Sequence, residues 1–153
     1  MMKILFVCHG NICRSPMAEF VMKNLLAKEN IKDIEVDSKA TTSDAIHNGI
    51  GMPMDIRTRR VLDKNHIPYT VHQASLMTKD DYQKYDYLIC MDEENFMDMN
   101  RITGGDPERK EYKLLYFIDK SDDIDDPWYT GDFDEAYCEI ATGCEGLLKK
   151  IKK

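Results

Sequence analysis

No run of apolar residues in this chain approaches the length of a membrane span, so neither a spanning helix nor a membrane partner is expected. The opening Met1-Met2-Lys3 leads straight into a strand-like pattern instead of the longer apolar core of a signal peptide, and the expected location is cytoplasmic. Positive charge is also short: 21 Lys and Arg stand against 28 Asp and Glu, a net charge of −7. With no basic stripe on that acidic background, nucleic acid is not an expected partner. The five cysteines are odd in number and lack paired metal-ligand spacing. No metal, no cofactor and no structural disulfide are therefore expected. Internal repeats, low-complexity tracts and interdomain linkers are missing as well. At 153 residues, 42% hydrophobic and 32% charged, the chain reads as one domain over 1–153 with a proper core.

Strand and helix patterns alternate. Lys3 to Val7 reads as a strand buried on both faces, and Pro16 to Glu29 as a helix with Met17, Phe20, Val21 and Leu25 inward. Ile34 to Ser38 is a second strand, Asp55 to Asn65 a helix, Asp86 to Met91 a third strand, and Glu93 to about Arg101 a short helix. Lys113 to Ile118 is expected as a fourth strand. The last helix is the clearest: Phe133, Tyr137, Ile140, Cys144, Leu147, Leu148 and Ile151 recur at spacings of three and four, with Asp132 and Glu135 at its start in the manner of a capping box. Thr41 to Pro53 reads as the most loop-like stretch, a candidate wall for a cleft. The fold expected is α/β, a four-stranded parallel sheet with helices on both faces, its ligand beyond the carboxyl ends of the strands.

One such end carries the chemistry. Cys8-His9-Gly10-Asn11-Ile12-Cys13-Arg14-Ser15 sits between the first strand and the first helix. A turn of this kind aims successive backbone N–H groups inward, and the helix adds the positive end of its dipole at the same point, so an oxyanion belongs there. Arg14 offers a planar fork for two phosphate oxygens, and the positive surroundings favour the nucleophilic thiolate of Cys8. Ser15 fits an N-cap and Pro16 the first helical position; the Ser15 hydroxyl is also placed to donate to the sulfur. The bland alternative is a buried strand cysteine beside a surface arginine. An ATP site is excluded, because Gly10 is the only glycine of the loop and no Gly-Lys-Ser/Thr ending follows.

Val7 through Glu19 resembles the signature of the low-molecular-weight protein tyrosine phosphatases, Val-Cys-x-Gly-Asn-x-Cys-Arg-Ser-Pro-x-Ala-Glu. The likeness continues in order through Val36-Asp37-Ser38, Tyr87-Leu88-Ile89-Cys90-Met91-Asp92 and Asp126-Pro127-Trp128-Tyr129. It implies a phosphotyrosine phosphatase working through a phosphocysteine, with loop amides from His9 to Ser15 on the phosphate oxygens. It also implies that Asn11, Ser38 and His72 form a hydrogen-bond network holding the loop, with a left-handed backbone at Asn11 as the cost.

A phosphate ester also needs a proton for its leaving oxygen and an activated water to open the intermediate. Of the two Asp-Pro pairs, Asp106-Pro107 and Asp126-Pro127, the second is followed by two aromatics and leads into the last helix, so Asp126 is the candidate acid and base. Asp122, Asp123, Asp125, Asp132 and Asp134 surround it in sequence, and like charge is expected to favour its protonated form. Trp128 and Tyr129 are candidate walls for an aryl ring, favouring phosphotyrosine over phosphoserine, against the plainer reading of core packing. Asp92, closing a strand nearby, is a candidate to orient Arg14 or the loop. Cys13, five residues from Cys8, could pair with it on oxidation or simply fill a small pocket under the loop. Arg57, Arg59 and Arg60 form a basic cluster, ordinarily a solvated face and alternatively a docking point for acidic peptide.

Two departures from the family pattern bear on substrate. Ile46-His47 stands where many bacterial members carry Trp in the loop lining the cleft, and Ser75 stands where Arg is common. Other activities on the same fold are weighed against the residues. Arsenate reductases need further redox cysteines on a mobile segment, whereas Cys90 lies in a strand; phosphoarginine phosphatases carry Thr at the place of Ile12. A phosphocarrier module would have no use for Asp126. The reading is a phosphatase of tyrosine-phosphorylated protein or peptide, monomeric or weakly dimeric.

Overall fold

A computed structural model describes residues 1–152. The elements in chain order are β1 (Met2–Cys8), α1 (Arg14–Lys28), β2 (Ile34–Ala40), β3 (Ile46–His47), β4 (Ile50–Gly51), α2 (Ile56–Lys64), α3 (Asp81–Lys84), β5 (Tyr87–Cys90), α4 (Glu93–Thr103), β6 (Glu111–Lys113), a 3₁₀ turn (Leu114–Ile118), α5 (Pro127–Thr130) and α6 (Phe133–Ile151). The main sheet has the order β2-β1-β5-β6 and every pairing in it is parallel. Among the described residues no helix is long and apolar enough to cross a membrane.

Strand β1 is apolar from Ile4 onward because both its faces are covered there. Ile4, Phe6 and Cys8 point into the core shared with α1, α2 and α6, and Leu5 and Val7 into a second core with Tyr82, Met99 and Leu88. Ile4 through Val7 are fully buried, and such side chains contribute roughly 1.5–3 kcal/mol each. The chain leaves β1 for β2 on one side and later returns to β5 on the other. That reversal opens a crevice at the carboxyl end of β1, where the residue is Cys8.

Three expectations need correction. Leu114 to Ile118 continue β6 as a 3₁₀ turn, not as strand. The reason is α6: a Cβ at Gly143 would lie 2.6 Å from Leu114 Cγ, and one at Gly146 would lie 2.6 Å from the Phe117 carbonyl oxygen, so the turn presses onto a helix surface stripped of side chains. The stretch from Thr41 to Pro53 is not only loop. Ile46–His47 and Ile50–Gly51 pair as an antiparallel hairpin whose turn residues Asn48 (φ 53°) and Gly49 (φ 77°) both have the left-handed backbone that such two-residue turns require. Helix α1 starts at Arg14, with Cys13 at the capping position and no side-chain cap, so Ser15 lies inside the first turn instead of capping it. By contrast Asp132 accepts from the Glu135 N–H at the head of α6 as expected, and Asp55 from the Arg57 N–H at the head of α2.

Candidate active site

The loop after β1 is held by its carbonyls. Thr41 N–H donates to Cys8 O at 3.0 Å, Thr42 N–H to His9 O at 3.2 Å, and Asp55 N–H to Ile12 O at 2.9 Å. His72 Nε2 donates to Asn11 O at 3.0 Å, and because the partner is a carbonyl this nitrogen carries the proton. With these oxygens turned outward, the peptide planes of the loop turn their N–H groups inward. Asn11 takes the left-handed backbone expected of it, φ 60°.

Cys8 Sγ lies at the floor, where the N–H groups of Asn11 and Ser15 donate to it at 3.3 and 3.4 Å and the Ser15 hydroxyl lies 3.0 Å away. The direction of that last bond follows from its neighbours. Asn11 Nδ2 donates to both Ser15 Oγ (2.8 Å) and Ser38 Oγ (3.0 Å), so the Ser15 proton is directed at the sulfur. Ser38 in turn donates to Glu19 Oε1 at 2.6 Å, and Asn11 Oδ1 accepts from Ser75 N–H at 3.1 Å. The network from Glu19 through Ser38 and Asn11 to Ser15 is thus polarised toward Cys8, a geometry suited to a negatively charged sulfur. Glu19 closes the quoted signature but carries no expected role in the sequence reading; only its burial against Ser38, distant in sequence, reveals one.

Arg14 is 2% exposed. Its Nη1 donates to Asp92 Oδ2 at 2.7 Å and to Ile124 O at 2.6 Å, while Nη2 lies 3.4 Å from Asp126 Oδ2. Burial works against its charge, yet the Cys8 sulfur, Asp92 and Asp126 outweigh it, and the guanidinium is held charged. Asp92 also caps α4 through the Asn95 N–H at 2.7 Å, which fixes the carboxylate that fixes the arginine. Asp126 caps α5, accepting from Trp128 N–H at 3.0 Å. The charged group in contact with it is the Arg14 guanidinium, and of the aspartates near it in sequence Asp123 is paired to Lys113 at 2.7 Å. The rival Asp106 is tied elsewhere, accepting from Tyr82 OH at 2.6 Å and from the N–H groups of Lys110 and Glu111.

These residues surround a cleft of about 220 Å³ lined by Cys8, His9, Gly10, Ile12, Cys13, Asp126, Trp128 and Tyr129, together with Asp44, Ala45 and Met52. Trp128 and Tyr129 are 51% and 80% exposed, so they are walls and not core. Ile46 and His47 are not among the lining residues. The hairpin instead brings Ala45 and Met52 to the cleft, joined by the Met52 N–H to Ala45 O bond at 2.8 Å; the Asn48-Gly49 dipeptide is the sequence signal for that hairpin. Asn11 is fully buried behind the loop and supports it without lining the cleft. Cys13 is buried at its edge, its thiol pushed up to about 12 by burial and then by the charges of Cys8 and Asp55. All five cysteines are free thiols.

The basic cluster is only partly a solvated face. Arg57 forms a two-pronged pair with Asp55 at 3.1 and 2.9 Å and stacks over the rings of Phe133 (4.5 Å) and Trp128 (5.3 Å). Its contact with Asp55 holds that carboxyl below its ordinary range. Since Asp55 is bonded to the cysteine loop through Ile12 O, Arg57 links that loop to the segment bearing Asp126 and Trp128.

Comparison with known proteins agrees with this geometry. The family model described as low molecular weight phosphotyrosine protein phosphatase matches residues 3–153. The chain belongs to that family. It is 38% identical to the low molecular weight protein-tyrosine-phosphatase YfkJ of Bacillus subtilis, over all of this chain and 97% of that one. The crystal structure of YfkJ superposes with a TM-score of 0.92, covering 99% of this chain and 95% of its own. The family member PtpA of Staphylococcus epidermidis is 36% identical, over all of this chain and 96% of that one. An arginine phosphatase from Drosophila, 30% identical, superposes with a TM-score of 0.88 over 99% of each chain.

Proposed function

We propose that this protein hydrolyses the phosphate monoester of tyrosine in proteins or peptides through a phosphocysteine. The Cys8 thiolate attacks phosphorus while the P–O bond to the leaving phenoxide breaks, and Asp126 gives that oxygen its proton. Arg14 and the inward N–H groups of the loop hold the remaining phosphoryl oxygens as charge redistributes over them. In the second step the Asp126 carboxylate takes a proton from water as that water attacks phosphorus. The P–S bond breaks, and the Ser15 hydroxyl steadies the departing sulfur. The observation that carries this reading is the convergence on one sulfur of two backbone donors and a directed hydroxyl, with Asp126 lining the same cleft and in contact with Arg14.

The aryl preference rests on the exposed Trp128 and Tyr129 with Ile12 and Met52 beside them, an apolar slot suited to a ring. Ile12 offers no polar group to a guanidinium, which disfavours phosphoarginine, and the strand position of Cys90 disfavours arsenate reduction. The acidic net charge disfavours a nucleic-acid partner, and unpaired cysteines fit a reducing compartment; action on phosphoproteins in the cytoplasm, by a monomer or weak dimer with no membrane partner, completes the proposal.

Aryl phosphate, phosphotyrosine peptide, phosphoarginine and arsenate compared side by side test the proposal. Phosphotyrosine turnover abolished by Cys8→Ser and blocked by vanadate is expected; faster turnover of phosphoarginine or arsenate would displace it.

A further inference from the structure

At the rim of the cleft, outside the chemistry assigned above, the His9 imidazole meets two carboxylates from α4, Glu94 and Asp98. One donor atom from each lies within 4.8 Å of the other two. Glu94 and Asp98 are four residues apart on one helix, so their side chains rise from the same face, while His9 reaches them from the cysteine loop. One ring nitrogen is already engaged: Nε2 is hydrogen-bonded to Asp44 Oδ2. A carboxylate on one ring nitrogen is the arrangement that fixes a metal-ligating histidine, and it leaves Nδ1 as the nitrogen available to an ion. Asp98 gives Oδ1 to Arg101 at 2.8 Å and keeps Oδ2. His9 and Asp98 are half-buried and Glu94 is exposed, so the cluster is open to solvent on one side.

We propose that His9, Glu94 and Asp98 form a binding site for a divalent transition-metal ion, with water completing its coordination. One imidazole and two carboxylates are a donor set for ions of the Mn²⁺, Co²⁺ and Zn²⁺ group. The set lacks the thiolates that select Cu⁺, and its nitrogen makes it a poorer cage for Ca²⁺ or Mg²⁺. The ion would offset the charge of two carboxylates held close together, and it would tie the cysteine loop to α4. It would sit beside the cleft, not on the Cys8 sulfur.

Co²⁺ is the probe, because its absorption separates oxygen and nitrogen ligation from thiolate ligation. Chelator-treated, full-length protein titrated with Co²⁺ alone, by calorimetry and visible spectroscopy, is expected to take up one ion per chain. Weak visible bands without the intense sulfur-to-cobalt transition should accompany it. Glu94→Gln and Asp98→Asn should each weaken binding about tenfold or more, by the measure of lost ligands and their supports, while Cys8→Ser retains it. Glu94 is exposed, so Glu94→Gln keeps the fold, and its metal-free phosphatase activity should equal that of the parent. No uptake at millimolar Co²⁺, affinity unchanged from the parent in the two carboxylate variants, or a thiolate transition lost in Cys8→Ser would each overturn the assignment.

Discussion

Arg14 Nη2 lies 3.4 Å from Asp126 Oδ2, although Arg14 opens α1 near one end of the chain and Asp126 caps α5 near the other. This contact joins the arm proposed to hold phosphate to the proposed proton donor, so each half of the proposed reaction is positioned by the other. Asp126 also accepts from Trp128 N–H, which anchors the aromatic wall to the same carboxylate. Asp126→Asn keeps a side-chain oxygen for that bond but removes the proton chemistry and the negative charge beside Arg14. Turnover of phosphotyrosine should fall by about a hundredfold, the size typical of a lost general acid. The loss should shrink for esters whose leaving group is a weak base, which a series of substituted aryl phosphates will measure.

Asp92 acts through Arg14. Replacing it by Asn preserves the α4 cap at Asn95 N–H but removes the charge that holds Nη1 at 2.7 Å. Charge-assisted hydrogen bonds are worth about 1.5–3 kcal/mol. A fall of about 10- to 100-fold in kcat/KM is expected, with vanadate inhibition weakened in parallel. Steady-state kinetics with and without vanadate check both.

Arg57 is predicted to matter for the aryl wall more than for the chemistry. Its stacking on Trp128 is a half-exposed cation–π contact, worth about 0.5–1 kcal/mol, so Arg57→Ala should raise KM for phosphotyrosine by about two- to fivefold with kcat little changed. Trp128 is the single tryptophan of the chain, and its fluorescence should shift in the variant, giving a readout independent of activity.

Stability at alkaline pH reports on Cys13. Its thiol is pushed up to about 12 in the folded protein, chiefly by burial, against 9.0 for an unperturbed thiol. The unfolded chain therefore loses this proton first. The stability tied to the buried neutral thiol is complete below pH 9.0 and is lost as pH rises toward about 12. Urea unfolding at stepped pH should show a decline about 1 kcal/mol per pH unit steeper in the parent than in Cys13→Ala over that window. Parallel curves would mean that Cys13 ionises in both states alike.

The cysteine loop is legible in sequence because an anion cradle built from consecutive amides is a local object: Cys8, Arg14 and the helix start lie within one short stretch. The sheet is legible for a similar reason, since residues 4–8 of β1 and 88–90 of β5 are buried on both faces and read as unbroken apolar runs. Leu114 to Ile118 is an equally apolar run, and periodicity alone does not separate a strand from a turn pressed under α6. Asp44, Met52, Asp55, Arg57 and Glu19 enter the site only through tertiary packing. Glu19 closes the signature yet shows its role only against Ser38, and Met52 is signalled only indirectly, by the Asn48-Gly49 turn that delivers it.

The account turns on a covalent bond between phosphorus and the Cys8 sulfur. Asp126→Ala mixed with an aryl phosphate, quenched in acid and analysed by peptide mass spectrometry, tests this most directly. One added phosphoryl group is expected on the peptide bearing Cys8, absent when Cys8→Ser is combined with Asp126→Ala. A phosphoryl group on another residue, or turnover surviving in Cys8→Ser, would contradict it.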